Sequence, residues 1–408
     1  MPRREAVLIL VGTILIAVLT PAGPTLAAPI EASCSSTPAP VEPVADLPWA
    51  QRRYAPERLA PLATGAGITV AVVDSGVDDK HPQLAGQVLS GSDFLDPGAD
   101  GRRDCAGHGT AVASLIAARP RKGLGLRGLA PEARILPVRV SEQQVVDGKG
   151  TGRAVSAANF AQAIRWAVTH GADVLNLSVV LYEDHPAVRE AITYALDRDV
   201  VVVAAVGNLH DIGDPRPYPA AYDGVLGVGA IGPDGQRANF SQVGEYVDLV
   251  APGGDVLAAA PRRGHVSQSG TSYAAPFVAA TAALIRQYRP DLTAGEVVAR
   301  LIATADPAPG GRSAEYGAGV LNPYRAVTDT PSVPHQPAVI PLADDAPDPA
   351  LVAQRERRAQ AHRQALWIAG FVSGGVALAS LLALVLPRGR RRRWRPASPG
   401  MPGPAGTT

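Results

Sequence analysis

A chain of 408 residues with 46% apolar and 18% charged side chains is an ordinary globular mix, long enough for one large domain or two smaller ones. Its formal net charge of +1 excludes a global electrostatic pull toward nucleic acid. The 38 prolines gather toward the two ends, which implies ordered protein flanked by linkers.

The first residues read as a targeting signal. Arg3 and Arg4 give a positive start, residues 6–19 are apolar and uncharged, and small residues follow Pro21 and Pro24. Cleavage is expected near Ala27, which makes 1–27 a signal peptide; the alternative is an uncleaved N-terminal anchor. Residues 28–65 are read as an N-terminal extension arm, rich in Pro, Ser and Thr over 35–48 and extended there.

The pattern changes at Gly67. Residues 68–73 are a buried-strand run ending in Asp74. Residues 107–118 can form a helix after a turn, and 135–140 read as a strand. Phe160, Ile164 and Val168 at helical spacing predict a helix over 156–170, with Gly171 as its cap. A strand over 174–180, a helix over 186–196, a β-branched run over 200–206 and a strand over 225–231 follow. The last helix is expected over 272–288, with Pro276 near its first turn, where early N–H groups have no intrahelical partner. Strands alternating with long helices predict an α/β domain over 66–330, a parallel sheet with helices on both faces.

Residues 331–364 are a proline-rich linker and juxtamembrane segment. Residues 365–386 carry no charge and match the roughly 20 residues that a helix needs to cross a bilayer. Arg388, Arg390, Arg391, Arg392, Arg393 and Arg395 follow at once, which marks the 387–408 tail as cytoplasmic. The expectation is a single-pass protein of the cytoplasmic membrane, held by one C-terminal transmembrane helix, with the 66–330 domain on the extracytoplasmic side. Its two cysteines, Cys34 and Cys105, are an exported even pair and are expected to form a disulfide. Two thiols alone cannot make a zinc site, and no HExxH pattern occurs, so no metal or other cofactor is expected. Asp93, Asp96 and Asp100 fit either an ion site or an exposed loop.

Three motifs carry chemistry: Val72-Val73-Asp74-Ser75-Gly76, Gly107-His108-Gly109-Thr110 and Gly270-Thr271-Ser272-Tyr273-Ala274-Ala275-Pro276. A serine hydroxyl is a poor nucleophile at neutral pH, so an imidazole must take its proton during attack. A carboxylate behind the imidazole fixes its tautomer and stabilises the imidazolium. Asp74 ends a strand, at the sheet edge where open α/β folds build their sites. Asn208, just past the 200–206 strand, can donate a hydrogen bond to a tetrahedral oxyanion. Each residue alone has a plainer reading as a turn former, loop residue or helix cap; together and in order they predict an acyl-transfer site of Asp74, His108 and Ser272.

On these motifs the chain resembles the subtilisin-like serine proteases over residues 66–327, in the Asp, His, Ser order of that family. The resemblance implies a subtilisin-like fold and a serine endopeptidase acting on protein or peptide substrates, with Ser272 as nucleophile, His108 as general base, Asp74 behind it and Asn208 in the oxyanion hole. A narrower resemblance is to the mycosins, the membrane-anchored subtilases of type VII secretion. It rests on Asp104-Cys105-Ala106-Gly107-His108, on Gly128-Leu129-Ala130-Pro131 and on Tyr316-Gly317-Ala318-Gly319-Val320-Leu321-Asn322-Pro323. That resemblance implies association with secretion-complex components. Many subtilases follow an Asn-x-Ser with glycines in the substrate-binding strand. Here Asn176-Leu177-Ser178 is followed by Val179-Val180, so the substrate-binding residues Ser178, Val179 and Val180 are expected to narrow the cleft and the specificity. Two alternatives stand beside this reading: a structural stabiliser of the secretion complex with secondary protease activity, and an independent membrane-tethered protease.

Overall fold

The computed structural model describes residues 39–146, 149–308 and 310–329. These lie in one unit spanning Met1–Gln336; a second unit covers Pro337–Thr408. The described part of the arm runs without regular structure to Pro48 and then forms two short helices, α1 (Trp49–Tyr54) and α2 (Pro56–Leu59). It lies on the body of the domain through backbone bonds. His265 N–H donates to the Glu42 carbonyl at 3.3 Å, and Gly125 N–H to the Val44 carbonyl at 3.1 Å. The extended reading covered residues 35–48, whose described part, 39–48, has no helix; α1 and α2 lie beyond it and are too short to show an apolar period.

The domain then alternates strand and helix. In chain order come β1 (Thr69–Asp74), β2 (Ser92–Asp93), α3 (His108–Ala117), β3 (Arg134–Arg139), the antiparallel pair β4 and β5 (Gln144–Val146, Lys149–Thr151) and α4 (Ala157–Thr169). Next are β6 (Val174–Leu177), α5 (Pro186–Leu196), β7 (Val201–Ala205), β8 (Leu226–Ile231) and β9 (Leu249–Pro252). A hairpin, β10 (Val256–Ala259) and β11 (His265–Gln268), precedes α6 (Thr271–Tyr288), α7 (Ala294–Ala303) and α8 (Pro323–Thr328).

Seven strands form one sheet in the order β2-β3-β1-β6-β7-β8-β9, every pairing parallel. The chain moves from β1 to β3 on one side and returns to place β6 on the other. The C-terminal end of β1 is therefore the switch point of the sheet, where a crevice must open.

Side-chain alternation splits the core in two. Val70 and Val72 of β1, with Val201, Val203 and Ala205 of β7, pack with α3 and α6. Ala71 and Val73, with Val202 and Ala204, pack with α4 and α5. A strand buried on both faces needs apolar residues at every position, which is why these runs are continuous rather than alternating. Full burial of each such valine contributes about 1.5–3 kcal/mol before entropy is counted.

Two expectations need correcting. The strand expected to reach Val180 ends at Leu177, because Leu181 leaves to pair with Tyr218 through two 2.7 Å backbone bonds. Pro276 is the sixth residue of α6 rather than part of its first turn, so the helix lacks one interior N–H. Among the described residues no helix is long and apolar enough to cross a membrane. The segments 1–27 and 365–386 lie outside the described residues.

Candidate active site

Asp74 and His108 meet at the switch point. Asp74 ends β1, and His108 opens α3. His108 Nδ1 lies 2.7 Å from Asp74 Oδ1. A carboxylate only accepts there, so Nδ1 carries the proton and Nε2 is left as the base. Ser75 N–H donates to the same Oδ1 at 2.7 Å. The approach depends on Gly109: a β-carbon there would lie 2.1 Å from the Gly76 carbonyl and 3.2 Å from the Asp74 β-carbon.

Burial lowers the affinity of His108 for a second proton, while the Asp74 charge, its hydrogen bond and the charge of Asp104 raise it. The balance sets its pKa above the ordinary histidine value. The ring tilts against Tyr273, centroids 5.2 Å apart, and its side chain is 28% exposed.

A buried carboxylate that sequence reasoning passed over holds the start of α3. Asp104 Oδ1 accepts from Ser75 Oγ at 2.9 Å and from Gly107 N–H at 2.7 Å. Its Oδ2 accepts from Thr110 N–H at 2.8 Å and Thr110 Oγ1 at 2.6 Å. Ser75 Oγ in turn accepts from Gly109 N–H at 2.9 Å. The loop turn and the first helical N–H groups around His108 are thus tied to the residue after Asp74. Burial pushes the Asp104 carboxyl up to about 6, against these hydrogen bonds, which favour its ionised form.

Ser272 is the second residue of α6. Pro276 has no N–H, so the Ser272 carbonyl loses its partner one turn on. Ser178 Oγ supplies the missing donor at 3.1 Å, and is itself held by Asn176 Nδ2 at 2.9 Å. The Ser272 hydroxyl donates to the Ser178 carbonyl at 3.4 Å. Among the described residues no hydrogen bond joins it to His108; such contacts are often long in a free enzyme and tighten with substrate.

Asn208 follows β7 and is exposed. Its Oδ1 accepts from Thr271 N–H at 2.9 Å and from Thr271 Oγ1 at 3.0 Å. A backbone N–H can only donate, which fixes the amide with its NH2 turned the other way. Thr271 Oγ1 also accepts from Gly207 N–H at 3.1 Å. A β-carbon on Gly270 would stand 3.3 Å from Asn208 Nδ2, so glycine keeps that donor accessible. The fully buried Thr271 is therefore a positioning residue inside a motif that had been read for its serine alone.

Val179 and Val180 are half-buried and pack on opposite core clusters, beside Ser178. Cys105 is half-buried three residues before His108; Cys34 lies outside the described residues. The acidic loop is engaged by arginines. Arg139, fully buried, meets Asp93 at 2.5 Å and Asp96 at 2.9 Å and also binds Glu142. Arg153 bridges Glu142 at 2.8 Å and Asp96 at 3.1 Å, and Arg102 pairs with Asp100. Hydrogen bonds from Arg153 and Arg139 hold the Asp96 carboxyl down at about 2. Among the described residues no group of metal-ligating side chains forms.

Known proteins match the chain over this domain. The subtilase family model matches residues 65–319. Mycosin-1 of Mycolicibacterium smegmatis is 34% identical over 366 residues, 76% of this chain and 81% of that protein. Mycosin-1 of Mycobacterium tuberculosis is 36% identical over 337 residues, 71% of this chain and 75% of that one. A crystal structure of MycP1 with its N-terminal propeptide removed superposes with a TM-score of 0.62 at 33% identity, covering 71% of this chain and 99% of that chain. The MycP3 protease from the type VII (ESX-3) secretion system gives 0.61 at 34% identity, covering 71% and 91%. The chain belongs to the subtilase family, as a subtilisin-like serine protease related to the mycosins.

Proposed function

We propose that Ser272, His108 and Asp74 are the catalytic triad of this protease and that Asn208 is its oxyanion donor. The observation that carries the reading is the 2.7 Å contact of His108 Nδ1 with a buried Asp74 at the switch point of the sheet. His108 Nε2 takes the Ser272 proton as Oγ bonds to the scissile carbonyl carbon. The carbonyl oxygen becomes an oxyanion that accepts from Asn208 Nδ2. His108 then passes its proton to the leaving amine as the C–N bond breaks, leaving Ser272 acylated. Water, deprotonated by His108, attacks the ester carbon; the C–Oγ bond breaks, the acid product leaves, and His108 returns the proton to Ser272 Oγ. Loss of the oxyanion donor lowers kcat by about 100- to 1000-fold in subtilisin itself.

The finer reading is a membrane-anchored endopeptidase of narrow specificity that serves type VII secretion. Support comes from the apolar run over 365–386 with its arginine tail, from Val179 and Val180 beside Ser178, and from the relatives, one of which is described as an essential component of the type VII (ESX-1) secretion system. In this reading 66–330 is the protease domain, 28–65 its arm, 331–364 a linker and 387–408 a cytoplasmic tail.

The test is covalent labelling. A fluorophosphonate should place one adduct on Ser272, and His108→Ala should abolish it. An adduct elsewhere, or labelling that persists unchanged in His108→Ala, contradicts the assignment. An impermeant reagent should reach a cysteine introduced in the protease domain, but not one placed after Arg395. The reverse pattern refutes the topology.

A further inference from the structure

A second pocket lies between the arm and the C-terminal part of the domain. Arg53, Tyr54 and Arg58 line it from α1 and α2, and Asp306, Asn322 and Arg325 from the other side. Its volume is about 440 Å³, several times that of a single carboxylate group. None of these residues belongs to the Ser272 site.

The Tyr54 side chain is anomalous. It is 6% exposed, and its ring packs edge-on against Phe277 of α6, centroids 5.5 Å apart. Its hydroxyl is buried and meets no hydrogen-bond partner among the described residues. A buried hydroxyl with no partner destabilises the fold, so the position needs another reason. Burial holds it protonated well above the ordinary tyrosine range, so it is a donor at any working pH. The charges that act on it are those of Arg53 and Asp306, both in the pocket wall.

The charge of the wall is positive. Arg325 is engaged by Asp329 at 2.9 Å and Asp306 at 3.5 Å, and Asn322 Nδ2 donates to Asp306 at 2.9 Å. Among the described residues neither Arg53 nor Arg58 has a carboxylate within ion-pair distance. The Arg58 guanidinium sits 4.7 Å over the Tyr324 ring, which is 39% exposed at the rim. Stacking fixes that guanidinium without neutralising it.

We propose that this pocket binds a carboxylate of an acidic peptide segment on a partner protein, with Tyr54 Oη, Arg53 and Arg58 as its donors. Asp306 in the wall disfavours a dianion such as phosphate, while a single carboxylate leaves it paired with Arg325. The spare volume and the aromatic rim suit the chain on either side of that carboxylate.

The test uses the full chain carrying Ser272→Ala, so that peptide is not cleaved. It is titrated calorimetrically at low salt with a capped Asp-Glu-Asp-Glu peptide, and separately with inorganic phosphate. Saturable peptide binding is expected, weakened about ten-fold or more by Tyr54→Phe and by Arg58→Ala, as for loss of a hydrogen bond to a charged group. Tyr54→Phe keeps the ring on Phe277 and deletes an unpartnered hydroxyl, so its melting temperature should hold or rise. A merely structural tyrosine gives the opposite pattern: lower stability and unchanged affinity. Absence of saturable peptide binding, affinity that neither variant changes, or preference for phosphate over the peptide overturns the proposal.

Discussion

Ser178 and Ser272 hold each other twice: the Ser178 hydroxyl donates to the Ser272 carbonyl at 3.1 Å, and the Ser272 hydroxyl donates to the Ser178 carbonyl at 3.4 Å. The first bond fills the gap that Pro276 leaves in α6. The second parks the proposed nucleophile against the strand expected to bind substrate. In the proposed mechanism, substrate binding beside Ser178 would compete for its backbone and release the Ser272 hydroxyl toward His108. Replacing Ser178 with Ala should strip the Ser272 carbonyl of its donor. A loss of about 1–3 kcal/mol in stability is expected, with slower fluorophosphonate labelling. Unchanged labelling and stability in that variant would show that the bond to the Ser272 carbonyl is dispensable.

Activity should follow deprotonation of His108. Its folded pKa is raised, so its contribution to stability is complete below the unfolded histidine value and is lost as pH rises through the folded value. Activity has the opposite sense, rising through that same folded value because only the neutral ring is a base. The acid limb of the kcat/KM profile should therefore lie above pH 6.5 and disappear in His108→Ala. A limb centred well below that value would contradict the raised pKa.

Asp104 adds a slope of its own. Its folded value of about 6 lies above the usual 3.8, so between these pH values the folded protein binds the proton more tightly than the unfolded chain. Stability is then expected to fall as pH rises through that window, and Asp104→Asn should remove this component. An amide offers one acceptor oxygen where the carboxylate uses two. The same variant should therefore lose at least about 2 kcal/mol and impair labelling of Ser272 through a loosened His108.

Arg139 supplies the cation of the acidic loop. Arg139→Met would leave Asp93 buried without its guanidinium and Glu142 with Arg153 alone, at a cost of about 3–5 kcal/mol. Since the positive charge is covalently part of the chain, a chelator should leave the melting temperature unchanged. A drop of several degrees on chelation would point to a bound ion instead.

The arm should be pinned by a Cys34–Cys105 bridge. Closing a loop of about 70 residues contributes on the order of 4 kcal/mol in the chain-entropy account, less any strain. Non-reducing peptide mapping should recover the two cysteines in one linked fragment, and Cys34→Ser should lower the melting temperature while leaving Ser272 reactive. Two free thiols in the active chain would remove the pin.

The sheet was legible because its central strands are unbroken apolar runs, and Asp74 and Asn208 sit where two of those runs end. β9, β10 and β11 were not: each is four residues long, too short for its period to stand out. α7 carried a readable signal in Thr293 and Glu296, which form a capping box before an apolar stripe. Around the site, sequence named the residues that end strands and flank glycines. It passed over Asp104 and Thr271, whose work is to hold those residues through buried bonds. Asp104 lies three residues before Gly107 and six before Thr110, a spacing that suits a side chain gathering the free N–H groups of a helix start. Pro276 was read as tolerated near the first turn, and so the carbonyl it leaves bare at Ser272, the reason for Ser178, was hidden.

The strap formed by the arm also fixes the order in which the molecule can be completed. Val44 N–H donates to His265 Nδ1 at 2.9 Å, across 221 positions of sequence. His265 opens the last strand before Gly270 and the α6 serine. A segment made before the domain therefore waits for a partner made near the domain's end, and closure of so long a loop is slow. Asp74 and His108 leave the biosynthetic machinery well before Ser272 does. While the chain is being made, the proposed acid and base therefore precede the serine they would activate. The strap can close only once both its earliest and its latest partners have been made.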